Sequence, residues 1–224
     1  MGRGRSGLNA SNGFQRKGAT SFTDGTAVID LSDSPLRYGK NDTALDGARR
    51  ASVESFEDKY RDAKVENGAT FDANGLITEQ MRGGKSNIKT TVAKYDAADT
   101  YTHNHPREAG LLGGTFSEAD LDNFATYNVR TVRAATKEGT YSISKGSSFD
   151  AKGFQSYYTK EFARIKKESN KAIGDLNKRV NTMDYDDYSR AYDKAFNKTL
   201  VDLHNVLISG QKQYGYTYTL ERSK

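Results

Sequence analysis

Val53, Phe56, Tyr60 and Ala63 recur three or four residues apart, which places them on one face of a helix and predicts an amphipathic helix over residues 48–64. The period then changes. Ala69-Thr70-Phe71 and Leu76-Ile77-Thr78 flank Asp72-Ala73-Asn74-Gly75, and the Asn-Gly pair predicts a hairpin because it tolerates the positive φ of a tight turn. Residues 88–93 predict another strand, and Thr100-Tyr101-Thr102 a further extended segment. Ser117 opens a predicted helix through about Tyr127, with Leu121, Phe124 and Ala125 on its apolar face. Residues 129–135 and 139–144 then read as two strands around a Lys137-Glu138-Gly139 turn.

Beyond residue 150 the pattern is helical. Phe154, Tyr158, Phe162, Ile165, Ile173, Leu176 and Val180 share one face; Tyr188, Tyr192, Ala195, Phe196, Leu200, Leu203 and Leu207 share a second. Two long helices are expected, broken near Asn181-Thr182-Met183-Asp184, with Gly210 ending the second. From Tyr214 to Leu220, Tyr and Thr alternate as in an edge strand returning to the sheet. Residues 1–47 hold no sustained period. They read as a disordered or extended arm with a basic tip (Arg3, Arg5, Arg16, Lys17) and one apolar run, Ala27-Val28-Ile29-Asp30-Leu31, a candidate short strand or docking peptide. The expected fold is α/β: a mixed sheet with flanking helices over residues 48–149, followed by a C-terminal helical hairpin and terminal strand over 150–224.

A chain of 224 residues can bury one sizeable core, although 35% apolar content and 21 glycines make it a modest one. No stretch is apolar enough to span a bilayer, and the start lacks the hydrophobic segment of a classical signal peptide. The chain contains no cysteine, which excludes disulfides and thiolate chemistry. These features suit a cytoplasmic or virion-associated protein, or an exported toxin. The net charge of +5 comes from interspersed residues, 34 basic and 29 acidic, so nucleic acid is a permitted partner but not an implied one.

The chemistry concentrates in His103-Asn104-His105-Pro106 and Ser117-Glu118-Ala119-Asp120. In an extended segment, residues i and i+2 face the same side, so both imidazoles can enter one cavity. Asp120 falls in the first turn of the following helix, from which a carboxylate can complete the set. Zn²⁺ in a catalytic site takes three such ligands and leaves one position open. Ser117-x-x-Asp120 is also a capping-box pattern. Asn104 should point away from the ligands by alternation, Asp122 should face solvent or orient a ligand, and His204 reads as an ordinary helix-face contact.

Across residues 55–145 these motifs resemble the JAB/MPN (JAMM) metalloprotease superfamily, in particular its RadC-like, prokaryotic and phage- or toxin-associated branch. The resemblance implies a cytidine-deaminase-like mixed sheet, with His103, His105 and Asp120 holding zinc. It implies that Ser117 polarises the oxyanion on the scissile carbonyl and that an upstream glutamate is the general base. Glu66, just ahead of the first strand, is the preferred base; Glu57 is the second choice and Glu79 is less suited. The Gly-rich loop from Arg107 to Phe116 is longer than the family's common pattern and would form a lid that holds substrate. The implied function is a zinc-dependent peptidase or isopeptidase acting on a protein or peptide. The alternatives are a phage virion or toxin-associated structural protein with a degenerate domain, with partners from a phage or toxin system, and a nucleic-acid-associated metalloprotein.

Overall fold

The computed structural model describes residues 47–106, 114–137 and 139–222. Its centre is one mixed sheet built from β1 (Asn67–Phe71), β2 (Ile77–Arg82), β3 (Thr100–Asn104), β4 (Thr131–Ala135), β5 (Gly139–Lys145) and β6 (Tyr216–Arg222). The strand order is β2-β1-β3-β4-β5-β6. Only β3 and β4 run parallel, and the chain between them includes helix α3 (Glu118–Thr126). This central pair is buried on both faces along its whole length. The predicted hairpin forms as β1 and β2, with Asp72 Oδ1 accepting from the Asn74 and Leu76 amides across the turn.

Alternation along the central strands divides the interior into two layers. Tyr101, Val132, Ala134, Tyr141 and Ile143 enter the larger core with residues of α3, α4 (Ala151–Arg179) and α5 (Tyr185–Tyr214). The opposite face packs Ala69 and Phe71 against Val53 and Phe56 of α1 (Gly47–Tyr60). The result is a mixed α/β fold whose central sheet is flanked by helices. No helix among the described residues is long and apolar enough to cross a membrane.

The face toward α1 carries a buried ion pair at its centre. Arg133 Nε and Nη2 donate to Glu57 Oε1 and Oε2 at 2.7 and 3.1 Å, and Nη2 also reaches Glu221 Oε2 at 3.0 Å. Thr102 and Thr140 donate to the two Glu57 oxygens at 2.8 and 3.2 Å. Burial works to lower the Arg133 pKa, but Glu57 and then Glu221 outweigh it and hold the guanidinium above its ordinary value.

Three boundary expectations are corrected. Residues 88–93 do not form a strand; the chain is irregular until α2, Val92–Asp96. The segment forms no backbone ladder with the neighbouring edge strand β2. The Glu79 carboxylate instead accepts from Thr90 Oγ1, Thr91 N and Thr91 Oγ1, and Val92 is 57% exposed. The first helix stops at Tyr60 rather than at residue 64. The second long helix runs through Gly210 to Tyr214, and Gly215 ends it with a φ of +70° that suits glycine. Gly210 serves packing: a Cβ there would come within 2.5 Å of Tyr216 Oη and 2.8 Å of Tyr157 Cε1. The long helices are separated by a 3-10 turn at Val180–Thr182, near the predicted break, and Thr199 Oγ1 of α5 donates to Ser169 Oγ of α4 at 2.7 Å. The arm over residues 1–46, with its basic tip and the run at 27–31, lies outside the described residues, as does the loop over 107–113.

Candidate metal centre

The backbone of His103 is held on both sides, since it pairs with Gly68 of β1 and Ala134 of β4. Past the strand end, the His105 amide still donates to the Ala135 carbonyl at 2.8 Å, so the extended conformation continues and both rings emerge on one face. Their Nε2 atoms lie 2.7 Å apart. His105 Nδ1 is 2.7 Å from the Gly114 carbonyl, which can only accept, so Nδ1 carries the proton and Nε2 presents a lone pair. His103 Nδ1 is buried with no hydrogen-bond partner among the described residues, consistent with the His103 proton sitting on Nε2 and pointing at His105.

Asp120 closes the group from the first turn of α3. Its Oδ1 is 3.4 Å from His103 Nε2 and its Oδ2 3.9 Å from His105 Nε2. One ligand atom from each of the three side chains lies within 4.8 Å of the others. Asp120 is also half of a complete capping box: Oδ2 accepts from the Ser117 amide and hydroxyl at 2.7 Å each, and the Asp120 amide donates to Ser117 Oγ at 3.2 Å. Capping and clustering are therefore compatible here. The cap occupies Oδ2 and turns Oδ1 toward the imidazoles.

This donor set suits a divalent cation. At 2.7 Å the two Nε2 atoms can share the His103 proton, and a cation that displaced this proton would meet both nitrogens and the adjacent carboxylate. Two imidazoles and one carboxylate fit the borderline preference of Zn²⁺. The Gly114 carbonyl supplies the outer hydrogen bond that fixes a ligating histidine's tautomer.

The glutamates separate clearly. Glu66 is 1% exposed, and its backbone is fixed at both ends: the amide donates to the Gly84 carbonyl and the carbonyl accepts from the Gly83 amide, each at 2.7 Å. The β1–β3 register sets Gly68 opposite His103, and the Asn67 amide donates to Asn104 Oδ1 at 2.6 Å. The β1–β3 pairing ends at Gly68 and His103; an ideal ladder continued two residues further would set Glu66 opposite His105. Glu57 lies on the opposite face with both oxygens engaged by Arg133, Thr102 and Thr140. Glu79 anchors the segment leading into α2; burial works to raise its pKa, and hydrogen bonds from Thr91 and Thr90 outweigh this to leave it below the ordinary value. Asn104 points away from the imidazoles toward Asn67 and Val65, as expected. Asp122 ties α3 to α4 by accepting from Gln155 and Tyr158. Comparison of the chain with protein-family models, curated proteins and solved structures gave no match.

His204 stands apart from the cluster. It is buried, with Nδ1 2.8 Å from Tyr218 Oη, and burial lowers its pKa to about 4. The folded protein thus keeps His204 neutral where the unfolded chain, with a value near 6.5, takes up a proton. Its contribution to stability is full above pH 6.5 and is lost as pH falls toward 4, amounting to about 3 kcal/mol. Urea unfolding with chelator at pH 7 and pH 4.5 should therefore show wild type losing more stability than His204→Phe. Equal losses in the two proteins would remove His204 as the cause.

Proposed function

We propose that this chain is a zinc-dependent peptidase or isopeptidase of JAB/MPN type, acting on a protein or peptide amide. The observation that carries the reading is the convergence of His103 Nε2, His105 Nε2 and an Asp120 oxygen, two of them buried imidazole nitrogens. The His-x-His-Pro and Ser-x-x-Asp motifs support it from the sequence side. In this reading residues 48–149 form the metal-binding unit, 1–47 an arm, and 150–224 two long helices and a strand.

His103, His105 and Asp120 would hold the zinc. Bound there, Zn²⁺ would supply Lewis acidity toward a carbonyl and lower the pKa of a water toward neutrality. Glu66, buried just ahead of β1, accepts the proton of the attacking water on its carboxylate and returns it to the leaving amine. Ser117 turns its hydroxyl from Asp120 Oδ2 to the oxyanion that develops on the scissile carbonyl, while its amide keeps the bond to Asp120. The Gly114 carbonyl keeps the His105 proton on Nδ1 so that Nε2 stays free to ligate.

Elemental analysis of protein purified without chelator tests this directly, run beside the His103→Ala/His105→Ala double variant. The expected result is about one zinc per chain in wild type and none in the variant. A metal-free wild type that also fails to take up zinc on titration would sink the enzyme reading.

A further inference from the structure

Segment 114–117 carries two groups that shape the metal centre: the Gly114 carbonyl on His105 Nδ1, and Ser117, which donates to Asp120 through both its amide and its hydroxyl. Yet this segment belongs to no helix or strand. Its anchors come from the far end of the chain. Thr115 Oγ1 lies 2.7 Å from Tyr218 Oη of β6, and Tyr218 Oη lies 2.8 Å from His204 Nδ1 of α5. All three side chains are buried. The Tyr218 ring also meets the Phe116 ring edge-on at 6.2 Å, and a Cβ at Gly114 would stand 3.3 Å from Leu200 of α5.

We propose that His204, Tyr218 and Thr115 are positioning residues, a relay by which α5 and β6 hold segment 114–117 in the geometry that makes His105 and Asp120 metal ligands. This rests on the metal-site reading of those residues. The polarity of the relay follows from its outer end. His204 Nε2 is buried without a hydrogen-bond partner among the described residues, and an orphaned lone pair is cheaper than an orphaned N–H. The proton therefore sits on Nδ1 and is donated to Tyr218, leaving the Tyr218 hydroxyl to donate to Thr115. One bond further along the backbone is the Gly114 carbonyl. Displacing it frees the His105 tautomer, and loss of an outer-shell partner of this kind weakens metal binding about 10–100-fold.

A core that merely needs its buried hydroxyls satisfied would behave differently, and β6 supplies the control. Tyr216 is also a buried tyrosine of that strand, but its hydroxyl donates to the Leu207 carbonyl at 2.6 Å. The experiment measures Zn²⁺ affinity of the full chain by competition with a chromophoric chelator, with urea unfolding of each variant alongside. Tyr218→Phe and Thr115→Val remove one hydroxyl each, and either alone is sufficient should the other not fold. The expected result is zinc binding weakened about tenfold or more in each. The double variant should be no weaker than the worse single one, because both delete the same bond. Tyr216→Phe should lose stability but keep wild-type zinc affinity. Wild-type zinc binding with Tyr218→Phe and Thr115→Val unchanged overturns the relay and leaves the metal site standing. Equal weakening in Tyr216→Phe and Tyr218→Phe also overturns it, since general loosening would then explain the loss. A wild type that binds no zinc removes the metal site and the relay together.

Discussion

Replacing Glu66 with glutamine is expected to slow hydrolysis about 10²–10⁴-fold while leaving zinc content at the wild-type level. The two side chains have the same size, but an amide cannot take a proton from water at neutral pH. The backbone of residue 66 is held by two hydrogen bonds, to Gly84 and from Gly83, that the substitution leaves in place. Cleavage of a mixed peptide library, followed by mass spectrometry, identifies a substrate for wild type; kcat/KM on that peptide then compares the two proteins. A Glu66→Gln variant with full zinc and full turnover would sink Glu66 as the base. Glu57 is a poor substitute. A carboxylate offers about four lone-pair sites, and the Glu57 oxygens already accept from Thr102, Thr140 and two Arg133 nitrogens.

Glu57→Ala should instead unfold the protein more readily, by about 3–5 kcal/mol, because it strips a buried guanidinium of its bidentate partner. Among the described residues, Arg133 would keep only Glu221 Oε2, and its Nη1 already lacks a hydrogen-bond partner. The comparison that isolates the charge is the double variant Glu57→Leu/Arg133→Met. It removes both ions and fills the space with apolar atoms, so it should recover most of the loss. Urea midpoints with an unchanged slope provide the measurement. A loss below about 1 kcal/mol in the single variant would place this pair with ordinary surface ion pairs.

The parts legible in the sequence were those fixed by local spacing. Helical periodicity located α1, α4 and α5, and Asn74-Gly75 located the hairpin. The two-residue separation of His103 and His105 brought both rings onto one face because β3 is extended. What could not be read depends on partners distant along the chain. Glu57 meets Arg133 76 residues later, and only the sheet topology brings them together. The Gly114 carbonyl is a backbone group without a side-chain signature. His204 looked like any helix-face histidine because its partner, Tyr218, is on a different element. Residues 88–93 misled for a related reason: their β-branched composition describes a strand, but Thr90 and Thr91 bind the Glu79 carboxylate of edge strand β2 instead of adding a ladder to it.

Strand β6 serves both faces of the sheet. Tyr218 points toward α5 and the loop before α3, while Glu221 points toward Arg133 under α1. A ribosome delivers the chain N-terminus first, so His103, His105 and Asp120 emerge roughly a hundred residues before the strand that steadies them. Until β6 pairs with β5, the edge of the sheet stays open and segment 114–117 lacks its tyrosine anchor. On the proposed relay, the cluster takes its final geometry only after β6 has docked. A chain still short of β6 would therefore not yet present the assembled histidine–aspartate cluster to its neighbours on the polysome.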